Sequence, residues 1–249
     1  MKNQIFQRIV RLTGKAIADF QLINDRDRIL VALSGGKDSW TLLHVLLQLQ
    51  KKAPVRFEIG AATVHPGSPN FRCESLETRL LTDGIPYTIL PGRIVEIVRK
   101  HLDAGTTPCS FCARLRRGVL YSYASNEGWN KIALGHHLDD FVETLIMNLF
   151  FNGSIKGMNP FLVSDDGRNI VIRPLVYVEE ELTRAYAQAV GVPILACSCP
   201  YQGMNVSRRH WVKKLIREIE REIPHVKSNI LGATRRVHRR HLLPPRDPS

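Results

Sequence analysis

A short apolar run, Arg28–Leu33, passes directly into Ser34-Gly35-Gly36-Lys37-Asp38-Ser39, and then into a segment with Trp40, Leu42, Leu43, Leu46 and Leu47 at helical spacing. An uninterrupted apolar strand suits a parallel sheet that is covered on both faces. The same alternation recurs along the chain. Further strands are expected at Phe57–Val64, Pro86–Leu90, Lys131–Gly135, Asn169–Ile172 and Pro193–Ala196. Helices are expected near 2–22, 71–82, 92–103, 111–127 and 140–150, the first with a stripe of Ile5, Ile9, Leu12, Ile17 and Phe20. Strands alternating with helices predict an α/β fold, a doubly wound and mostly parallel sheet with helices on both faces. The expected organisation is an N-terminal helix over 1–25, a main domain over 26–200 and a basic helical extension over 201–249.

The loop at 34–39 is built to hold phosphate. Two adjacent glycines let the backbone turn tightly and point N–H groups inward, and the next helix offers the positive end of its dipole. The Ser34 and Ser39 hydroxyls and the Lys37 ammonium add donors, while Asp38 can hold Mg²⁺ bridged to phosphates. The Gly-x4-Gly-Lys-Ser/Thr spacing of a Walker A loop is missing. A second cluster, Gly135-His136-His137-Leu138-Asp139-Asp140, follows the strand at 131–135, at the end of a strand where open parallel sheets bind ligands. Asp140 is a candidate for Mg²⁺ or nucleotide contact, or for capping the following helix.

The five cysteines are Cys73, Cys109, Cys112, Cys197 and Cys199, four of them in two tight pairs. Paired cysteines in a chain without export signals point to metal or redox chemistry. Cys109-Ser-Phe-Cys112 with a distant third thiol suits either tetrahedral zinc or a [4Fe-4S] cluster. Arg114, Arg116 and Arg117 follow at once, and Arg116 comes one helical turn after Cys112. Cys73, unpaired in sequence, is expected on a helix face packed against the sheet.

Charge points to a polyanionic partner. The chain of 249 residues carries a formal charge of +12, more than solubility requires. Near its end, Arg209, Lys213, Arg217 and Arg221 recur at i, i+4 beside an apolar stripe of Val212, Leu215, Ile216, Ile219 and Ile223. Arg235, Arg236, Arg239 and Arg240 then form a second cluster. Both clusters are read as phosphate-binding surface. No apolar run reaches the ~20 residues that span a bilayer, and the Met1–Gln4 start lacks a signal-peptide core. A cytoplasmic protein without membrane contact is expected.

Ser-Gly-Gly-Lys-Asp-Ser resembles the signature loop of the PP-loop ATP pyrophosphatases, which cleave ATP between its α and β phosphates. Thr13–Phe20, Cys109-Ser-Phe-Cys112-Ala-Arg-Leu-Arg-Arg-Gly, Ile132-Ala-Leu-Gly-His-His, Lys156-Gly-Met and Ile172-Arg-Pro-Leu together are similar to the tRNA 2-thiocytidine synthetase (TtcA-type) family. The likeness runs from about residue 5 to about 220. It implies an enzyme that thiolates an anticodon-loop cytidine of tRNA using ATP, Mg²⁺ and a [4Fe-4S] cluster on three cysteines. Carried over by motif, Cys109 and Cys112 are two ligands. The third falls in Cys197-Ser-Cys199-Pro-Tyr, where the family has Cys-x-x-Cys. The Cys-Pro-Tyr of related 2-thiouridine enzymes favours Cys199. The expected ATP site is Ser34–Ser39 for the pyrophosphate, with Ala32, Leu33, His65 and Gly135 around adenosine. Lys37, Asp38, Asp140 and Arg116 are the expected catalytic groups. A sulfur donor, either a cysteine desulfurase system or free sulfide, and a homodimer are further implications. The rivals are a lysidine synthetase-like ligase, which needs no cluster, and a non-catalytic RNA-binding protein with structural zinc.

Overall fold

The structure is a computed structural model that describes residues 2–101, 108–164, 166–195 and 207–243. In chain order the elements are α1 (Lys2–Phe20), β1 (Asp27–Ala32), α2 (Lys37–Gln50), β2 (Phe57–His65), α3 (Glu74–Thr82), β3 (Tyr87–Pro91), α4 (Ile94–Lys100) and α5 (Pro108–Asn126). They continue with β4 (Lys131–Ala133), α6 (Leu138–Asn152), β5 (Phe161–Val163), β6 (Ile170–Ile172), α7 (Glu180–Val190), α8 (Ser207–Glu222) and α9 (Val226–Ala233).

The strands run in the order β3-β2-β1-β4-β6-β5, parallel except for β5, which pairs antiparallel with β6 at the edge. The chain leaves β1 for β2 on one side and returns to place β4 on the other, so a topological switch point lies between β1 and β4. Alternation along β1 sends Ile29, Val31 and Leu33 into one layer with Trp40, Leu42, Leu43 and Leu46 of α2. Leu30 faces the other layer with Ala62, Ile132, and Leu120 and Ala124 of α5. Both faces of the strand are therefore dry, as its continuous apolar sequence predicts.

An ion pair is enclosed in this core. Lys131, at the start of β4, is 2% exposed; its ammonium lies 2.6 Å from Asp27 Oδ2 and donates to the Leu22 carbonyl at 2.9 Å. Asp27 also accepts from Asn24 N–H and Asn130 Nδ2. A buried pair is tolerated only when its remaining hydrogen-bonding capacity is met in this way. The pair fastens the starts of β1 and β4 together, which fixes their carboxyl ends side by side.

Three expectations need correction. Of the expected strand Pro193–Ala196, the described residues 193–195 form none: Pro193 lacks an N–H, its carbonyl accepts from Trp40 Nε1 at 3.0 Å, and Leu195 N–H bonds to the Gly35 carbonyl at 3.0 Å, so the segment is tied to α2 and the phosphate loop instead. Cys73 is not packed on the sheet but sits, partly exposed, at the N-cap of α3. The helix α7 and the edge strand β5 were not anticipated. Three residues of strand give too short an alternation to read, and the glutamates that open α7 gave no pattern by themselves.

Candidate active site

The loop between β1 and α2 is shaped before any ligand arrives. Gly35 has φ +78, and a Cβ there would meet the Leu195 side chain at 2.6 Å, so the position excludes any other residue on two counts. Gly36 caps α2 in an extended conformation. Ser34 Oγ accepts from Gly36 N–H at 3.3 Å, and Ser39 Oγ donates to the Gly36 carbonyl at 2.9 Å. The hydroxyls thus brace the loop, leaving the N-terminal end of α2 as the anion-attracting pole. The neighbouring Gly135 loop is pressed against it: a Cβ on Gly135 would come within 3.0 Å of Ser39 N and Asp38 C.

A cavity of about 390 Å³ opens over this pole, lined by Lys37, Asp38, His137, Asp140, Glu143, Glu180, Arg209, His210 and Lys213. Cations and carboxylates alternate around it. Lys37 Nζ lies 2.8 Å from Asp38 and 3.3 Å from Glu180. Asp38 also accepts from Thr183 Oγ1 at 2.5 Å. Asp140 accepts from the His137 backbone N–H at 3.0 Å, bracing the first turn of α6, and its other oxygen lies 3.6 Å from Arg209. Arg209 reaches Glu143 at 2.9 Å, and Lys213 contacts Glu180. Burial by itself would raise the Glu180 carboxyl, but Lys213 and Lys37 outweigh it and hold the group at about 2. Burial dominates at Glu143 and raises its pKa. Burial likewise drives His136 down to about 4, against the pull of Asp140. This arrangement can bind a polyphosphate through Lys37, Arg209 and Lys213, and a hard cation through Asp38 and Asp140, since Mg²⁺ commonly takes one or two carboxylates plus phosphate and water.

The structure brings Lys37, Asp38 and Asp140 to one cavity. Ala32, Leu33, His65 and Gly135 stand beside it on three neighbouring carboxyl ends, those of β1, β2 and β4, without lining it. His65 packs edge-on to Phe71, and its Nδ1 accepts from Gly67 N–H. Arg116 does not line the cavity either. Among the described residues, its buried Nε has no hydrogen-bond partner, and the same holds for His136 Nδ1, His137 Nδ1 and Arg173 Nε. Cys112 lies partly exposed on the first turns of α5. The side chain of Cys109, and Cys197 and Cys199, fall outside the described residues. Among the described residues no three His, Cys, Asp or Glu side chains gather as a metal cage.

Sequence reasoning missed Glu180, Thr183 and Glu143, and placed Arg209 and Lys213 on a surface. The i, i+4 spacing of the two cations was legible. That α8 lies across α6, bringing them to the acids of α6 and α7, was not. A second cavity of about 670 Å³, lined by Phe20, Phe141, Met158, Leu231, Arg235 and His238 among others, shares no residue with the first.

A parallel sheet with a phosphate loop at its switch point defines a nucleotide-binding α/β protein, and the PP-loop domain family matches residues 2–196. The tRNA-cytidine(32) 2-sulfurtransferase of Syntrophotalea carbinolica is 47% identical over 98% of this chain and 94% of its own length. That of Geobacter sulfurreducens is 47% identical over 97% of this chain and 94% of its own. Among solved structures, the U34-tRNA thiolase NcsA from Methanococcus maripaludis with its [4Fe-4S] cluster has the same fold, at TM-score 0.78 and 24% identity over 98% of this chain and 82% of that one. The chain belongs to the tRNA-cytidine(32) 2-sulfurtransferase family of PP-loop enzymes.

Proposed function

We propose that the chain is a cytoplasmic, ATP-dependent tRNA thiolase that converts an anticodon-loop cytidine to 2-thiocytidine through an adenylated base. The observation that carries this reading is the cavity over the α2 N-terminus, where three cations and two Mg²⁺-competent carboxylates surround one polyphosphate-sized space. In the first half-reaction the cytidine O2 attacks the α-phosphate of ATP; an O–P bond forms, the bond to the β-phosphate oxygen breaks, and pyrophosphate leaves. Lys37, the loop N–H groups and the α2 dipole offset the charge that grows on pyrophosphate. Thr183 and Lys37 hold the Asp38 carboxylate in place and the Arg209 guanidinium steadies Asp140, the two groups that would hold Mg²⁺. In the second half-reaction a sulfur nucleophile adds at C2 and the C2–O bond breaks, so AMP departs with the original oxygen. Adenylation is what makes that oxygen a leaving group.

A [4Fe-4S] cluster on Cys109, Cys112 and Cys199 would supply sulfur in nucleophilic form. Two observations support a site of this kind. Arg116, four residues beyond Cys112 and so on the same helix face, keeps a buried Nε with no partner among the described residues, as suits an anionic group nearby. Leu195, four residues ahead of Cys199, is hydrogen-bonded to the phosphate loop. The NcsA fold is described with such a cluster.

The test is iron and sulfide analysis of anaerobically purified protein beside Cys109→Ala, Cys112→Ala, Cys199→Ala and Cys197→Ala. The proposal expects about four irons in the parent, loss of cluster and thiolation together in the first three variants, and retention in Cys197→Ala. One zinc and no iron in the parent would replace the cluster reading. A normal cluster in Cys199→Ala that is absent in Cys197→Ala would reverse the third ligand.

A further inference from the structure

The last turn of α6 and the first turn of α8 expose an aromatic cluster that the reaction does not use. Phe150 is 52% exposed, Phe151 39% and Trp211 49%. The Trp211 ring centroid lies 6.2 Å from that of Phe150 and 6.0 Å from that of Phe151, and the Arg208 guanidinium lies 5.0 Å from the Phe151 centroid. Three large rings left half in water are costly for a monomer, and such a patch marks a contact surface. Exposed aromatic faces next to arginine are what unpaired bases stack upon.

We propose that Phe150, Phe151, Trp211 and Arg208 form a stacking platform for unpaired nucleotides flanking the target base, an inference that rests on tRNA being the substrate. Two features select nucleic acid over a second copy of this chain. The helix bearing Trp211 exposes Arg208, Lys214, Arg217 and Arg221 against Glu218 and Glu222, so a self-contact would oppose two net cationic helices on chains of +12 each. A polyanion instead meets opposite charge there. The platform is also in register with the phosphate cavity. Glu143, which lines that cavity and binds Arg209, precedes Phe150 by two turns of α6, about 10 Å of helix at 1.5 Å per residue. At ~3.4 Å per stacked base, the platform is about three nucleotides from the cavity, suited to hold a loop open while one base turns inward.

Trp211 is its own reporter. Trp40 is fully buried and Trp129 is half-buried with the Arg28 guanidinium over its ring, so a ligand that stacks on the platform quenches Trp211. A synthetic anticodon stem-loop RNA should quench the fluorescence of the full chain, and quenching should vanish in Trp211→Phe while affinity persists. Trp211→Ala and Phe151→Ala should each weaken stem-loop binding about 5- to 100-fold with an unchanged salt slope, because every cation that meets a phosphate is kept. Equal affinity in Trp211→Ala with an intact parent interaction would overturn the platform and leave tRNA as substrate. Failure of the parent chain to bind the stem-loop at any salt would instead overturn the tRNA reading, and the platform with it. Conversion of a dimer to a monomer by Trp211→Ala, without loss of RNA affinity, would assign the patch to a second copy.

Discussion

Two clusters of cations close the chain, alike in sequence and unlike in place. Arg209 and Lys213 lie over the phosphate cavity, each paired with a carboxylate of α6 or α7, namely Glu143 and Glu180. Arg235, Arg236 and Arg240 lie near the chain end and are exposed. Arg235 rests on the Phe20 ring at 4.9 Å and reaches Tyr177 Oη at 3.2 Å, with Asp19 at 4.0 Å. Position makes the difference: Arg209 and Arg235 are both about half exposed and both meet an acid, but Arg209 and Lys213 line the same space as Lys37 and Asp38. A cation fixed beside the phosphate loop is held for the ligand of that loop, whereas an exposed cation remote from it is available to any polyanion and is screened by salt. A net charge of +12 therefore says that a phosphate-bearing partner suits the surface, and says nothing about which cations meet it first.

Enclosure sets a scale on which this contrast can be tested. At the enclosed extreme is Lys131, whose loss strands Asp27 in the core. Lys131→Met should cost about 3–5 kcal/mol of unfolding free energy, measured by urea titration; a cost below about 1 kcal/mol would show that Asp27 is satisfied by its other donors.

Burial that outweighs a nearby countercharge gives the next effect. His44 sits between Trp40 and Tyr186, its Nδ1 2.9 Å from the Tyr186 hydroxyl, and burial, aided by Arg79 and opposed by Asp83, lowers its pKa from 6.5 to about 4. Between those values the unfolded chain binds the proton more readily, so this contribution is complete above pH 6.5 and is lost as pH falls through about 4. The difference corresponds to about 3 kcal/mol. Thermal unfolding of His44→Gln should show a flatter pH dependence across that window than the parent; identical slopes would contradict the assignment.

The two cation clusters themselves give smaller and separable effects. Arg209→Ala or Lys213→Ala should raise the KM for ATP about tenfold, the equivalent of ~1.4 kcal/mol, and leave the salt slope of tRNA binding nearly unchanged. Charge reversal at Arg235, Arg236 or Arg240 should do the opposite: no change with ATP, and about one unit less in the log–log salt slope for each phosphate that no longer meets a cation. If both sets behaved alike, the contrast between the phosphate cavity and the chain end would collapse.

How much of this was legible depends on whether the signal was local. β1, the Gly35–Gly36 turn and α2 are continuous in sequence, and strand burial, turn chemistry and helical spacing agree there. The same holds for β4, Gly135 and α6. The pairing of Lys37 with Glu180, of Asp38 with Thr183 and of Arg209 with Glu143 joins residues 66 or more positions apart, and nothing in the local pattern of α7 or α8 announces it. Glu180 was equally silent, because a glutamate that opens a helix reads as an ordinary first-turn acid. Pro193–Leu195 misled for a related reason: its apolar composition suits a strand, yet its hydrogen bonds go to Trp40 and Gly35.

We propose that the cavity over α2 cleaves one ATP to AMP and pyrophosphate for each sulfur placed on tRNA. That stoichiometry is tested most directly by incubating anaerobically purified protein with ATP, Mg²⁺, sulfide and unthiolated tRNA, and measuring nucleotide products beside 2-thiocytidine in the digested RNA. The account predicts one AMP and one pyrophosphate per 2-thiocytidine, and a fall of about 10²–10³-fold or more in both for Lys37→Ala and Asp38→Ala, with the iron content unchanged. Release of ADP and phosphate, or thiolation that proceeds undiminished in Asp38→Ala, would contradict it.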